Sequence, residues 1–144
     1  MLMHCYKDPM HTYPAQLEIR PLTAPPNCTV SVPGSKSITN RALVLAALTT
    51  MDVSLRLDGA LRSEDTEVMV DCLQRLGYLV EPFWDAPTPH IVFDYQERRT
   101  VPASSADLFV GNSGTTVRFL AAMLAAGEGR YRLDGVPRMR ERPI

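Results

Sequence analysis

The stretch Pro33-Gly34-Ser35-Lys36-Ser37-Ile38-Thr39-Asn40-Arg41 stands between a short apolar run and the almost entirely apolar residues 42–48. Pro33 and Gly34 break the extended run, and Ser35, Ser37 or Thr39 can cap a following helix. The pattern therefore predicts a strand, a tight turn and a helix start. Free backbone N–H groups at such a helix end meet a lysine and an arginine, and this combination attracts anions. An ordinary helix start with two solvated cations has the same pattern, so both interpretations stay open at this point.

The composition restricts the class of protein. The chain has 144 residues, of which 45% are apolar and 22% charged, as is typical of a soluble globular domain. No apolar run is long enough to cross a membrane. A net charge of -1 argues against a general nucleic-acid surface. We therefore expect neither nucleic acid nor a membrane among its partners.

The cysteines and the chain ends bear on location and completeness. Cys5, Cys28 and Cys72 are odd in number and form no Cys-x-x-Cys pair, so neither a disulfide framework nor a zinc site is predicted, and a reducing cytoplasm fits best. Residues 1–16 carry no targeting pattern and are predicted to be a disordered or frayed extension. Residues 140–144 resemble the beginning of a helix, which indicates a fragment of a longer chain.

Hydrophobic periodicity and turn residues predict a succession of strands and helices. The most strongly marked helix has Ser63 as its N-cap, acidic residues in its first turn, and Gly77 at its end. A hairpin is predicted around the proline-rich turn at residues 85–89. The predicted strands are residues 17–22, 28–32, 53–58, 78–83, 90–94, 106–110 and 130–134, and the other predicted helices are residues 37–49 and 117–126.

The order of elements and the residues themselves recur along the chain. Gly111-Asn112-Ser113-Gly114-Thr115-Thr116 precedes the second apolar helix as the opening stretch precedes the first. Arg41-Ala42-Leu43 is echoed 77 residues later by Arg118-Phe119-Leu120, and residues 56–62 are echoed 76 residues later by residues 132–138. A single one-residue gap brings both pairs into register, which indicates an internal repeat.

The distribution of polar residues predicts the layers. Segments 42–48 and 120–126 have no polar face, so both helices are predicted to be buried on all sides. The strands alternate, with Ser54, Arg56 and Asp58 directed to one side, so their sheets are predicted to expose a face to solvent. The expected fold class is α/β, built from inside-out repeats with buried helices and solvent-facing sheets.

Both Gly/Ser/Thr turns are candidates for holding an oxyanion, because each brings unpaired N–H groups to a helix N-terminus beside a cation. Lys36 would act as a mobile point charge. Arg41, four residues after Ser37, offers the planar fork that recognises a carboxylate or phosphate, and an ion pair with a nearby acid is its alternative role. A P-loop is excluded because Thr29 stands where its first glycine would be.

Acid–base chemistry is less clearly marked than anion binding. No histidine or cysteine has a partner in the sequence for general-base or nucleophilic work. Arg138, Arg140 and Arg142 follow a strand of the second repeat and are candidates for closing over the same cleft, with a solvated helix start as the alternative. The acidic candidates, each explained more simply as a cap or a surface residue, are Asp58, Glu64, Asp65, Asp134 and Glu141.

Three ordered motifs resemble those of the 5-enolpyruvylshikimate 3-phosphate synthase family. They are residues 33–43, 111–118 and 135–144. The resemblance implies a fold of βαβαββ units, of which this chain holds one unit and about half of a second. It also implies transfer of the carboxyvinyl group of phosphoenolpyruvate to the 5-hydroxyl of shikimate 3-phosphate. That reaction proceeds by addition and elimination, without metal or organic cofactor.

The resemblance further implies roles for individual residues. Lys36 matches a contact to both substrates, and Ser37 and Arg41 match contacts to shikimate 3-phosphate. Gly114 and Arg138 match contacts to the phosphate of phosphoenolpyruvate. Two further residues of the second motif, whose roles the resemblance leaves open, are Asn112 and Arg118.

The resemblance also divides the chain. Residues 17–26 would form a strand and crossing segment of the family's other domain, and residues 27–144 a partial substrate-binding domain truncated at its C-terminus. The catalytic acid–base groups would come from the missing C-terminal part of the same enzyme, so the isolated chain is predicted to be inactive. Two alternatives are a related transferase acting on UDP-N-acetylglucosamine, whose Lys-Asn motif is replaced here by Lys36-Ser37, and a non-catalytic anion-binding module.

Overall fold

The computed structural model describes Gln16, Glu18, Pro21 and residues 23–30, 32–49, 53–94 and 100–144. Its contacts divide the chain into two units, Met1–Ser31 and Val32–Ile144. The described residues of the first unit include no helix and no strand. The second unit carries all the elements named below.

The helices and strands of the second unit alternate along the chain. The helices are α1 (Lys36–Thr49), α2 (Glu64–Arg75), α3 (Gly114–Leu124) and α4 (Pro137–Arg140). The strands are β1 (Leu55–Asp58), β2 (Val80–Phe83), β3 (His90–Phe93), β4 (Ser105–Phe109) and β5 (Arg130–Asp134). The helices and strands predicted between residues 37 and 134 are confirmed, with ends shifted by a few residues at most.

Two strands are predicted in the N-terminal region, and the described residues bear on them unequally. Most of the predicted strand 17–22 lies outside the described residues, and Glu18 and Pro21, which are described, are not in a strand. The predicted strand 28–32 is wrong for the residues that the structure describes, 28–30 and Val32. These residues are exposed, and no backbone hydrogen bond joins them to another described residue. A strand requires such a bonded neighbour, and alternating side chains alone do not supply one.

Local hydrogen bonds explain why α2 begins and ends where it does. The Ser63 hydroxyl accepts from the Thr66 amide at 3.4 Å, and the Thr66 hydroxyl accepts from the Ser63 amide at 2.9 Å. This reciprocal pair is a capping box that satisfies two helix-end donors. Gly77 ends the helix with φ +88°, a left-handed conformation that glycine adopts without a steric penalty. The helix prediction from Ser63 to Gly77 is confirmed.

The strands form two small sheets. The three-stranded sheet has the order β1-β3-β2 with both pairs antiparallel, so that Phe93 lies opposite Leu55 on one side and Val80 on the other. The two-stranded sheet pairs β4 with β5 in parallel across the α3 crossover. Burial alternates along β1, where Arg56 and Asp58 are exposed as the sequence predicts. Each sheet therefore presents a polar face to solvent.

The core lies where α1, α2 and α3 pack against one another. Leu43 and Leu120 are both fully buried at the centres of α1 and α3. The buried residues of α1 are Thr39, Asn40, Leu43, Ala46 and Ala47, and those of α3 are Thr116, Val117, Leu120, Met123 and Leu124. Each member of the second set lies 77 residues after its counterpart in the first. The two helices therefore bury the same five positions.

The prediction that both apolar helices are buried on all sides is wrong for this chain. Ile38 and Leu45, which lie on one face of α1, are 65% and 64% exposed. Ala122 and Ala125 are exposed at the end of α3. Helices α2 and α3 pack on one side of α1, and no described element covers the opposite side.

Among the described residues, no helix is long and apolar enough to span a membrane.

Asn40 is an unusual core residue. Its side chain is 0% exposed, and neither its amide nitrogen nor its amide oxygen has a hydrogen-bond partner among the described residues. The corresponding position in α3 is Val117, which is apolar and 5% exposed. Leaving a buried donor or acceptor unpaired costs about 1–3 kcal/mol. Asn40 therefore weakens the packing of α1 in this unit.

We predict that Asn40→Leu, which keeps the branched shape and removes the polar atoms, raises the free energy of unfolding by about 1–3 kcal/mol. Urea denaturation measures this change, and Val117→Asn provides the reciprocal control, which is expected to lower stability. A loss of stability in Asn40→Leu would show that the amide has a partner in solution, and the argument from the unpaired group would then fail.

Candidate anion-binding site

The N-terminal ends of three helices meet at Asp65. Lys36, the first residue of α1, places Nζ 2.5 Å from Oδ2 of Asp65, which lies in the first turn of α2. Thr116, in the first turn of α3, donates its hydroxyl to the backbone carbonyl of Asp65 at 3.3 Å. One residue of α2 is therefore bonded to the beginnings of both α1 and α3.

The charges of the three helix ends differ. The first turn of α2 contains Glu64, Asp65 and Glu67, whereas the first turns of α1 and α3 contain no acidic residue. Each helix N-terminus carries a partial charge of roughly +0.5 from its aligned peptide dipoles. Three acidic side chains offset this charge at α2, whereas α1 and α3 contribute none of their own, and the Asp65 carboxylate near α1 is paired with Lys36. The beginnings of α1 and α3 therefore keep the positive potential that attracts an anion.

The turn before α1 shows which of three candidate residues caps the helix. The amide of Ile38 donates to the Ser35 hydroxyl at 3.4 Å, so Ser35 is the cap. The hydroxyl of Thr39 is used elsewhere, since it accepts from the amide of Leu61 at 3.1 Å. The half-buried Ser37 has no hydrogen bond from its hydroxyl to any residue in the described ranges. Its hydroxyl is available to a ligand.

The turn before α3 is built on a left-handed glycine and a serine cap. Gly111 has φ +56°, and its carbonyl accepts from the amide of Val136 at 3.1 Å. The Ser113 hydroxyl accepts from the Thr116 amide at 3.3 Å, so Ser113 caps α3. The bond between Gly111 and Val136 brings the second and third sequence motifs into direct contact.

The last residues of the chain lie across the beginning of α3. Arg142 donates from Nη1 to the carbonyl of Asn112 at 3.5 Å. Arg118 donates from Nη2 to the carbonyl of Pro143 at 3.3 Å. A Cβ added to Gly114 would lie 3.1 Å from Nη1 of Arg142. The arginine side chain therefore occupies the space that the missing side chain of Gly114 leaves beside the helix end.

The structure separates the roles of the arginines in α4. Arg140 donates to both carboxylate oxygens of Asp134 at 2.8 Å. This bond, together with one from the Gly135 amide, lowers the pKa of Asp134, so the carboxylate stays charged and paired. Arg138 is exposed and has neither an ion pair nor a hydrogen bond to any described residue. Arg138 therefore keeps a guanidinium available for an external anion, and Arg140 does not.

The structure links some of the predicted site residues and leaves others without a bonded partner. Asn112 and Gly114 lie against Arg142, Arg118 reaches the same chain end, and Lys36 joins them through Asp65. Like Arg138, Arg41 is exposed and forms no ion pair within the described part of the chain. The alternative in which a nearby acid pairs with Arg41 therefore does not occur among these residues.

Sequence reasoning missed the contact of Asp65. The sequence favours a cap or surface role for this residue, because Glu64 beside it has the same charge and nothing in the local pattern distinguishes the two. In the structure the Asp65 side chain is only 19% exposed and bonds to Lys36, whereas Glu64 is exposed. The only signal was its position two residues after the Ser63 cap, which does not reveal a partner on another helix.

Metal binding and nucleophilic chemistry at Cys72 receive no support from the side chains that the structure describes. No three His, Cys, Asp or Glu side chains in these ranges cluster so that they could hold a metal ion. Cys72 is buried, and burial is the main reason that its pKa is raised to about 12. Its thiol therefore stays protonated at neutral pH and is a poor nucleophile.

Comparisons with known proteins show the family of this chain. The family model of EPSP synthase (3-phosphoshikimate 1-carboxyvinyltransferase) matches residues 23–144. The chain therefore belongs to the EPSP synthase family, and the resemblance found in its three motifs is confirmed.

Relatives and a solved structure give the same result. A 3-phosphoshikimate 1-carboxyvinyltransferase from Nostoc punctiforme is 50% identical over 130 residues, which cover 89% of this chain and 29% of the relative. One from Opitutus terrae is 48% identical over 132 residues, which cover 91% of this chain and 30% of the relative. EPSP synthase from Acinetobacter baumannii matches with a TM-score of 0.67 and 25% identity, covering 79% of this chain and 25% of that structure. The chain thus spans less than a third of the length of these relatives.

Gly34 and Gly114 provide a matched test of how closely other atoms pack against the two turns. A Cβ at Gly34 would lie 2.5 Å from the backbone carbonyl of Gly59, so Gly34→Ala must displace the backbone. We expect a loss of about 1–3 kcal/mol of stability, as in other overpacked sites. In Gly114→Ala the obstructing atom is the end of the flexible Arg142 side chain, so stability should change little. Thermal denaturation measures both variants, and equal losses would contradict the contrast.

Proposed function

We propose that this chain is the N-terminal portion of a 3-phosphoshikimate 1-carboxyvinyltransferase, an enzyme of the shikimate pathway that leads to aromatic amino acids. The observation that carries the proposal is the junction at Asp65, where two positively polarised helix ends, each preceded by a Gly/Ser turn, lie side by side. Two anionic substrates that must react with each other need such a pair of neighbouring sites. Cations there offset the repulsion between the substrates and hold the reacting atoms together.

The residue roles follow from the family motifs and from the contacts that each side chain leaves open. Lys36 contacts both substrates, and Ser37 and Arg41 bind shikimate 3-phosphate. Gly114 and Arg138 bind the phosphate of phosphoenolpyruvate. Support comes from the Ser37 hydroxyl and from the Arg41 and Arg138 guanidinium groups, which have no partner among the described residues.

Asn112 and Arg118 contribute mainly to the shape of the phosphoenolpyruvate side of the site. The backbone of Asn112 and the side chain of Arg118 fasten residues 142 and 143 to the beginning of α3. In the reaction, the 5-hydroxyl oxygen of shikimate 3-phosphate loses its proton and adds to the phosphate-bearing carbon of phosphoenolpyruvate, whose methylene carbon gains a proton. Phosphate then leaves from the tetrahedral intermediate, and loss of a proton from the resulting methyl group restores the double bond. The acid–base groups for these proton transfers belong to the remainder of the enzyme, and no cofactor takes part.

The finer architecture proposed for residues 27–144 is one inside-out βαβαββ unit and about half of a second, forming part of a substrate-binding domain. The five shared buried positions of α1 and α3 support the repeat. So do the ion pairs Arg56–Asp58 and Arg132–Asp134, which are 76 residues apart. The exposed apolar face of α1 at Ile38 and Leu45 is suited to contact with further units. Residues 17–26 would belong to the other domain and residues 1–16 to an extension.

Phosphate release tests the function. With shikimate 3-phosphate and phosphoenolpyruvate, we expect the full-length cytoplasmic synthase containing this chain to turn over and the isolated 144 residues to show no activity. Normal turnover by the isolated chain would contradict the need for the remainder. Use of UDP-N-acetylglucosamine as acceptor would favour the related transferase. Tight binding of shikimate 3-phosphate without turnover by the full-length protein would favour the anion-binding module.

Arg41→Ala in the full-length enzyme should weaken binding of shikimate 3-phosphate by about 1.5–3 kcal/mol, a factor of roughly 10 to 150, because a charged hydrogen bond is lost. Isothermal titration measures the affinity. Arg75→Ala is the matched control, since Arg75 lies at the far end of α2 and pairs with Asp71 at 2.7 Å. An affinity that is unchanged in Arg41→Ala would refute the role of Arg41.

A further inference from the structure

Asp65 is not needed to begin its own helix. Ser63 is the N-cap of α2, and Thr66 completes the capping box. The first turn also contains Glu64 and Glu67, which complement the helix dipole without Asp65. Glu67 bonds to Arg62 at 2.7 Å, within the same region of the chain. The Asp65 carboxylate instead crosses to another helix and bonds to Lys36.

Two bonds at Asp65 fix the relative positions of α1 and α3. Its carboxylate bonds to the first residue of α1, and its backbone carbonyl accepts from the Thr116 hydroxyl in the first turn of α3. Thr116 is fully buried, and the Asp65 side chain is largely buried as well. The Lys36 side chain, by contrast, is 49% exposed and would otherwise sample several rotamers.

We propose that Asp65 is a positioning residue for the reaction: it holds the Lys36 ammonium between the anion sites at the beginnings of α1 and α3. This inference rests on the proposed function, in which Lys36 contacts both substrates. It has an electrostatic consequence, because the charge that positions Lys36 also repels the two anionic substrates. Asp65 thus weakens substrate binding and favours the reactive arrangement of the bound pair.

The two effects have opposite signs in Asp65→Asn, and steady-state kinetics of the full-length synthase separate them. Removing the negative charge should leave KM for both substrates unchanged or lower. Loss of the fixed ammonium should lower kcat by roughly 10- to 100-fold, since small displacements of a positioning contact have effects of this size. A purely structural role would instead lower the melting temperature and raise both KM values.

Two control variants isolate the interaction. Glu64→Gln removes the neighbouring acidic charge. It should therefore reproduce any lowering of KM that comes from weaker repulsion of the anionic substrates, while leaving kcat unchanged. Asp71→Asn breaks an ion pair of the same kind with Arg75 on the same helix, and it should change neither constant. If Asp65→Asn does not fold, Asp65→Glu retains the charge and moves the carboxylate by one methylene. We expect the latter variant to have a lower kcat at unchanged KM.

The outcomes distinguish this inference from the function on which it rests. A wild-type enzyme inactive with both substrates would overturn the proposed function and this role together. An active wild type with unchanged kcat in Asp65→Asn, or in Asp65→Glu where that variant is the one that folds, would overturn the role of Asp65 alone. An equal loss of kcat in Glu64→Gln would also overturn it, because the loss would then follow from removing any negative charge near the site and not from the contact between Asp65 and Lys36.

Discussion

The bonds of Asp65 lie where three helix N-termini come together, and the geometry of the candidate site depends on them. Like partial charges at helix ends repel one another, so negative charge is favourable where three such ends meet. The structure supplies that charge from α2 alone, whose first turn holds three acidic residues, and leaves α1 and α3 without any. Two of the three helices that meet there therefore still favour an anion.

Much of this architecture could be predicted because its signals are local. The Ser63 cap, the acidic first turn and Gly77 determine α2 within fifteen residues of chain, and the structure contains the predicted cap. Alternation along β1 and β5 follows from the period of two in side-chain direction. The Gly/Ser turns were recognised for the same reason, since a helix start is encoded by the residues that form it.

The features that sequence reasoning missed depend on partners distant in the chain. Residues 28–32 have the alternation of a strand, but pairing requires a neighbour that the pattern cannot supply. An apolar helix face predicts burial only if something covers it, and Ile38 and Leu45 have no covering element among the described residues. Asp65 and Glu64 are alike in sequence and differ only in which one faces Lys36. In each case the missing information is the identity of a tertiary contact.

The two turns before α1 and α3 differ at the position of Lys36. Ser113 caps α3, and the position 77 residues earlier is Lys36, while the cap of α1 is Ser35, one residue before it. Both α1 and α3 bury a leucine at the centre of the helix, so packing does not require this difference. The positive charge of a lysine interacts unfavourably with the positive end of the helix dipole at a helix N-terminus. The proposed role of Lys36 in binding anionic substrates explains its place there, and Asp65 holds the ammonium in position for that role.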